Sequence, residues 1–318
     1  MGPFWEMQRM RLLLGVLLLA TVAGAEDFST FKTSNLTAII GNNAAHGEHR
    51  PLYNGVFSVT WKDETFSPFV PLYAGLNLEH YFDGGATSGD NAVFFEPRHA
   101  PMTFRRIDER TAELHQPVSP HYGVESWTTF TLRDPHYIDM HFRCVGTKPA
   151  MEDDFLGVFW ASYMNAPLNK SIYFLQAGST LDAPQWAQLC TQSHGVQSSV
   201  LHEHDNGPTE FSKARSDVLF ANFSSFRYSM PFYYGQIRDK VVIFIFKPGP
   251  LVRFAHSPSG GGKAPAEDDT NPAWDFQLFA PDYAPGQEYA LDLRMVYKPW
   301  VDRADVLKEV RMYLDAVP

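Results

Sequence analysis

Cysteine is nearly absent from this 318-residue chain, with only Cys144 and Cys190 present. Neither stands in a CxxC pattern, which argues against a zinc knuckle or a redox dithiol. Charge is sparse as well, at 19% of residues, with a formal net charge of −10. A protein that tracks nucleic-acid phosphates needs a basic face, so no nucleic-acid partner is expected. Glycine shows no period and heptads are not sustained, which excludes collagen-like and coiled-coil architectures. No internal repeat marks a propeller. Sparse charge beside 44% hydrophobic and 14% aromatic residues excludes a disordered chain.

Long apolar runs are missing too, apart from one near the start. Arg9 and Arg11 precede the run Leu12 to Ala20, and Ala23-Gly24-Ala25 forms a small-x-small cleavage pattern. The run is shorter than the ~20 residues that a membrane helix needs. Residues 1–25 therefore read as a signal peptide and 26–318 as the mature chain, secreted or periplasmic. Removing the leader takes away two arginines and one glutamate and moves the net charge to −11. No later stretch supplies a membrane span, so none is expected after cleavage. Export permits a disulfide between Cys144 and Cys190, and two unpaired thiols fit equally well. Asn35, Asn169 and Asn222 head acceptor sequons.

What the chain does contain is period-two alternation. Phe57, Val59 and Trp61 alternate with Ser58 and Thr60; Ile138, Met140 and Phe142 alternate with Asp139, His141 and Arg143. Leu291, Leu293, Met295 and Tyr297 continue the pattern near the end. Alternation predicts strands with one face on a core and the other towards solvent or a cleft. Leu156 to Met164 and Val241 to Phe246 are continuous apolar runs, which predicts strands covered on both faces. Turn clusters such as Asp83-Gly84-Gly85 and Pro248-Gly249-Pro250 separate these segments. One helix is predicted, capped by Asp302 and running to Asp315, with Val306, Val310, Tyr313 and Leu314 near one stripe. The pattern predicts an all-β fold, a large antiparallel β-sandwich with one C-terminal helix, in a single domain over residues 26–318. Ser257 to Thr270 reads as a long loop within it.

Histidines and aromatics gather at a few strand ends. In Tyr73 to Gly84, a regular strand puts Leu76, Leu78, His80 and Phe82 on one face and Asn77, Glu79 and Tyr81 on the other. Asn77 and Glu79 are placed to grip hydroxyls, and His80, if it sits at a bend, to move protons. His256 ends a strand that runs into Pro258 and Gly260-Gly261-Gly262, a backbone able to approach a ligand closely, with Arg253 on the opposite face. His256 is the leading acid or base candidate. Trp274 is a candidate stacking platform, and Asp275 a hydroxyl ligand or a partner for a histidine. Tyr73 and Tyr234 are further platforms, with Arg50 and Arg253 as cations for an acidic sugar. Each candidate has an ordinary structural alternative: core packing for the aromatics, strand capping for His256, a satisfied buried imidazole for His80. His202 and His204, two residues apart on one face of a strand, are the candidate ligands for a divalent metal, although spacing defines no third ligand. No other cofactor is expected.

The segment Asp134-Pro135-His136-Tyr137-Ile138-Asp139-Met140-His141-Phe142-Arg143 resembles the central YIDLxF-type strand of the galactose-mutarotase-like β-sandwiches. Ala74 to His80, Pro231 to Gly235 and His256 to Gly262 resemble phrases of secreted bacterial proteins without a settled function. The resemblance implies a mutarotase-like supersandwich over most of the mature chain and a carbohydrate ligand. That group includes sugar epimerases, glycoside hydrolase modules, polysaccharide lyases and binding domains. In its epimerases a histidine donates to the ring oxygen while a glutamate takes the anomeric proton, which implies His80, His256 and Glu79 as candidates. The expectation is a carbohydrate-active enzyme using His80 or His256 with Glu79 or Asp275. The alternatives are a non-catalytic sugar-binding protein on Trp274, Tyr73 and Tyr234, and an exported structural or partner-binding domain.

Overall fold

The computed structural model describes residues 26–86, 89–213, 217–264 and 269–317. The leader assigned to residues 1–25 lies outside the described residues. Two large sheets face one another. The first has nine strands in the order Trp186–Leu189, Ile172–Leu175, Phe232–Ile237, Lys240–Phe246, Glu288–Pro299, Tyr137–Gly146, Val124–Arg133, Thr111–Gln116 and Thr103–Arg106. The second has six, in the order Phe223–Tyr228, Ser199–His202, Leu251–Ser257, Ala273–Ala280, Leu156–Ala161 and Asn77–Phe82. A three-stranded sheet, Phe28–Lys32, Leu36–Gly41 and Gly55–Trp61, adds to them. Pairing in the large sheets is antiparallel except where Ser199–His202 runs parallel to Phe223–Tyr228. The fold is therefore the expected antiparallel sandwich.

Alternation does what the sequence predicts. Ile138, Met140, Phe142 and Cys144 point into the core between the sheets, opposite Leu291, Leu293 and Met295 of the neighbouring strand. From the six-stranded sheet Val158, Trp160, Trp274, Phe276, Leu278 and Phe254 meet them. Each fully buried side chain of this size contributes about 1.5–3 kcal/mol. Lys240–Phe246 is buried at every position because its two faces meet two layers. Val242, Phe244 and Phe246 face the sandwich core, while Val241, Ile243 and Ile245 pack under Val306, Val310 and Tyr313. Those three belong to the C-terminal helix Arg303–Ala316, whose first turn is capped by the Asp302 carboxylate accepting from the amide of Asp305 at 2.8 Å. The two cysteines are unbonded: Cys144 lies in the core, where burial pushes its thiol well up, and Cys190 is exposed. Among the described residues no helix is long and apolar enough to cross a membrane.

The outer face of the six-stranded sheet is also covered, and this explains why Leu156–Ala161 is apolar throughout. Phe82, Phe159, Ala161, Ala255, Ala273 and Phe279 lie there beneath Val218, Leu219 and Phe220. Two helical turns, Asn91–Phe94 and Glu96–His99, close one side. Their position is fixed from the edge of the nine-stranded sheet, where the buried Glu96 accepts at 3.0 Å from the amide of Tyr122, in the turn that joins Thr111–Gln116 to Val124–Arg133, and Gln116 donates to the Pro97 carbonyl at 2.8 Å. On the same outer face Arg253 forms a fork with Asp205, Nε to Oδ2 at 2.8 Å and Nη2 to Oδ1 at 3.2 Å, with both side chains fully buried. The guanidinium also lies 3.7 Å from the centre of the Phe279 ring. Removing one partner leaves an uncompensated buried charge. Arg253→Ala is expected to lower unfolding free energy by about 3–5 kcal/mol in urea titrations; a loss below 1 kcal/mol would contradict this reading of the pair.

Candidate functional site

One irregularity creates the site. The strand Asn77–Phe82 pairs Leu78 with Trp160 and His80 with Phe159, so Glu79 is an extra residue with no partner. A bulge of this kind turns two successive side chains to one side. Leu78 and Tyr81 enter the sandwich core, while Glu79 and His80 both face the outer cavity. The regular alternation expected from the sequence, which separates these two residues, is interrupted where the chemistry gathers.

The cavity holds about 280 Å³ and is lined by Glu79, His80, Arg98, Tyr163, His194, Asp217, Ser257 and Asp275, with Tyr53, Phe94, Phe95, Phe159 and Phe220 among its aromatic walls. Its size lies near the lower end of the ~300–1,000 Å³ common for small-molecule sites, room for about one sugar ring. Glu79 is only 7% exposed and its two oxygens have different surroundings. Oε2 accepts from the Tyr163 hydroxyl and, at 3.0 Å, from the Asn77 amide. Oε1 lies 3.4 Å from His80 Nε2 and 3.7 Å from Arg98 Nη1. Burial pushes this carboxyl upward, but His80, Arg98 and Tyr163 together outweigh burial and hold it below the ordinary glutamate range. Arg98 is steadied by donating from Nε to the Leu52 carbonyl at 2.8 Å and by lying 4.0 Å over the Tyr53 ring.

Asp275 behaves oppositely. It lies between Trp274 and Phe276, which point inward, so its carboxyl points outward into the cavity and is 2% exposed. Burial first, and then the charge of Glu79, push its protonation well above the ordinary range; only the Ser162 amide, donating to Oδ1 at 3.0 Å, opposes them. One cavity thus carries two carboxyls whose proton affinities are pushed in opposite directions, Glu79 towards the ionised form and Asp275 towards the protonated one. His80 donates from Nδ1 to the Phe94 carbonyl at 2.6 Å and is boxed by Phe94, Phe95, Phe159 and Phe220. His194 contacts the Ser257 hydroxyl through Nδ1 at 2.8 Å, and burial lowers its pKa.

Glu79, His80 and Asp275 are brought together; His256 is not. Its ring lies on the inner side of its strand beside Trp274 and is fully buried. Nε2 and the indole nitrogen of Trp274 both donate to the Lys170 carbonyl at 2.8 Å, while Nδ1 accepts from the Thr191 amide and hydroxyl. Trp274 is therefore core, not platform. Asn77 faces the cavity side, but its amide is spent on Glu79 and its carbonyl on the Asn54 amide. Tyr73 stands behind the wall, with its ring 4.7 Å from Tyr53 and 5.1 Å from Tyr163. Tyr234 is on the far sheet beneath the C-terminal helix, accepting from Arg303 at 3.1 Å. Arg50 is exposed and does not line the cavity, and Arg253 is committed to Asp205. The metal candidates fare no better. His202 uses Nε2 on the Ser229 carbonyl and Nδ1 on the His204 amide, and the His204 side chain is 81% exposed. Among the described residues no group of three or more His, Cys, Asp or Glu is placed to hold a metal ion.

Arg98, Tyr163 and His194 were not singled out from the sequence. They sit on a helical turn, a strand end and a loop that are distant from Glu79 along the chain, and no local spacing links them.

No protein-family model matches the sequence, and no curated protein is significantly similar to it. Solved structures are similar in fold. An Escherichia coli K12 protein provisionally named an aldose 1-epimerase superposes with a TM-score of 0.50 at 10% identity, over 86% of this chain and 99% of that one. The Slr1438 protein of Synechocystis sp. PCC 6803 also gives 0.50, at 7% identity, over 86% and 96%. A galactose mutarotase-like protein from Lactobacillus casei ATCC 334 gives 0.47 at 12% identity, over 85% and 100%. The chain has the galactose-mutarotase-like β-sandwich fold.

Burial holds His256 down to about 4, so it is neutral in the folded chain and takes up a proton when the chain unfolds below its ordinary value of 6.5. Its contribution to stability is therefore present above pH 6.5 and lost as pH falls towards 4, up to about 3 kcal/mol. His256→Gln is expected to flatten this acid limb in urea titrations between pH 4 and 7, and an unchanged limb would show that another group sets it.

Proposed function

We propose that the protein is an exported carbohydrate-active enzyme that moves protons at a single sugar ring. The observation that carries this reading is that one ring-sized cavity holds two carboxyls in opposite surroundings, Glu79 among four polar partners that favour its ionised form and Asp275 buried with a single amide, which favours its protonated form. A carboxylate and a carboxylic acid facing one cavity are a ready base and acid at neutral pH, and neither needs a metal to act so. On a cyclic sugar, Glu79 Oε1 takes the proton of the anomeric hydroxyl while Asp275 gives its proton to the ring oxygen. The ring C–O bond breaks, the hydroxyl becomes a carbonyl, and reclosure on the other face returns both protons. His80 and Arg98 keep Glu79 ionised between turnovers, and the aromatic walls exclude water. The fold shared with a provisionally named aldose 1-epimerase supports this choice among sugar chemistries. Elimination from an acidic sugar is the weaker reading, because the cation facing the cavity, Arg98, is already engaged by Glu79 and Leu52. Export rests on the basic, apolar and small-residue pattern of residues 1–25, and mass spectrometry of the natural protein is expected to show Glu26 as the first residue.

The test is a panel of aldoses followed by polarimetry and NMR for anomer exchange. Glu79→Gln and Asp275→Asn are each expected to lower the rate by ~10²–10⁴-fold. Full activity in both sinks the assignment, and sugar binding without exchange in the wild type identifies a binding protein instead. Asp275→Asn carries a second signature. The folded carboxyl keeps its proton to a higher pH than the unfolded one, so above pH ~4 the wild type loses stability as pH rises. Asparagine keeps an acceptor for the Ser162 amide and removes that loss, so the Tm at pH 8 is expected to rise by at least ~2 °C.

A further inference from the structure

The strand Leu251–Ser257 ends on two residues that point to opposite faces, and both hold the same loop. On the inner side His256 donates through Nε2 to the Lys170 carbonyl, so its Nδ1 must accept, and it takes the Thr191 amide at 3.2 Å and the Thr191 hydroxyl at 2.9 Å. On the cavity side the Ser257 hydroxyl accepts from the amide of Ser259 at 3.3 Å and meets His194 Nδ1 at 2.8 Å. The Ser259 amide occupies one lone pair of the hydroxyl oxygen and leaves the Ser257 proton available to His194 Nδ1. When the serine donates this bond to Nδ1, a neutral His194 carries its own proton on Nε2.

The surrounding backbone leaves little freedom. Gly195 has φ +71°, and a side chain on it would lie 2.2 Å from the Asp217 carbonyl. A Cβ on Gly260 would lie 3.2 Å from Ser257 Oγ and 2.8 Å from the Ala273 Cβ. Glycine at 260 lets the turn close directly onto Ser257, and that turn brings the Ser259 amide to the hydroxyl.

We propose that Ser257 is a positioning residue that fixes His194 as an Nε2–H donor, and that His194 is a specificity-determining residue reading an acceptor oxygen of the ligand. His194 lines the same cavity as Glu79 and Asp275 and belongs to neither of their proton transfers. Of the two histidines lining the cavity, His80 is tied to the Phe94 carbonyl and to Glu79, whereas His194 is held by Ser257, with the charges of Asp217 and Glu79 nearby. The ligand it selects is a neutral sugar that offers a hydroxyl or ring oxygen to this donor while presenting its anomeric hydroxyl to Glu79. This role rests on the sugar reading of the site, whereas the tautomer does not.

The experiment uses the mature chain labelled with ¹⁵N-histidine. At pH 7, long-range couplings are expected to show His194 neutral with its proton on Nε2. Ser257→Thr keeps the hydroxyl and is expected to keep that tautomer; Ser257→Ala is expected to yield a mixture with Nδ1–H populated. A wild-type proton on Nδ1, or an unaltered tautomer in a folded Ser257→Ala variant, overturns the positioning role whether or not any sugar reacts. With the aldose that the wild type exchanges fastest as the probe, Ser257→Ala is expected to raise KM up to about tenfold with kcat within about threefold, and Ser257→Thr to restore KM. An unchanged KM, or an equal loss in kcat, overturns the specificity role. No exchange of any aldose defeats the reading of the site and leaves the tautomer result standing.

Discussion

A carboxylate with almost no access to water has to be solvated by the protein itself, and the outer face of the six-stranded sheet is organised around doing this for Glu79. Coulomb attraction is strong in such a setting, yet it offsets the cost of burial only when each oxygen has good partners. Here Tyr163 and Asn77 serve one oxygen while His80 and Arg98 approach the other. Each partner needs its own support. Arg98 depends on a helical turn anchored through Glu96 to the opposite sheet, and His80 depends on the carbonyl of Phe94. The bulge at Glu79 is the local condition for all of it, because without the extra residue His80 would sit in the core.

Glu79 then shapes its neighbour. A second carboxyl in the same low-dielectric cavity meets both desolvation and a like charge, and both push the proton affinity of Asp275 upward. The difference between two residues with nearly identical chemistry arises from their surroundings: four polar partners for one, a single amide and apolar walls for the other. Keeping Asp275 buried costs stability at neutral pH, a cost typical of sites where an acid must stay protonated to be useful.

Much of the fold was legible because it depends on local periodicity. The alternation in Tyr137–Gly146, the unbroken apolar run in Lys240–Phe246 and the Asp302 cap of the last helix each translate directly into a structural element. Glu79, His80 and Asp275 were legible as polar residues on apolar strands. The bulge was not, because a single unpaired residue leaves no mark on composition or period. His256 misled for a related reason. A histidine before Ser-Pro and three glycines looks poised at a ligand, whereas the side of the strand it occupies is set by register, and register places it beside Trp274. The motif still matters to the cavity, through Ser257 one residue on. His202 and His204 have the spacing of ligands, but backbone groups already occupy both nitrogens of the first.

The central claim is that one cavity holds an ionised Glu79 beside a protonated Asp275. Infrared difference spectroscopy of the mature chain against Asp275→Asn, at pH 7 in H₂O and D₂O, tests it most directly. The account predicts loss of one protonated-carboxyl C=O band that shifts on deuteration, and no such loss in the Glu79→Gln difference. Loss of a carboxylate band with Asp275→Asn, or of a protonated-carboxyl band with Glu79→Gln, would contradict it.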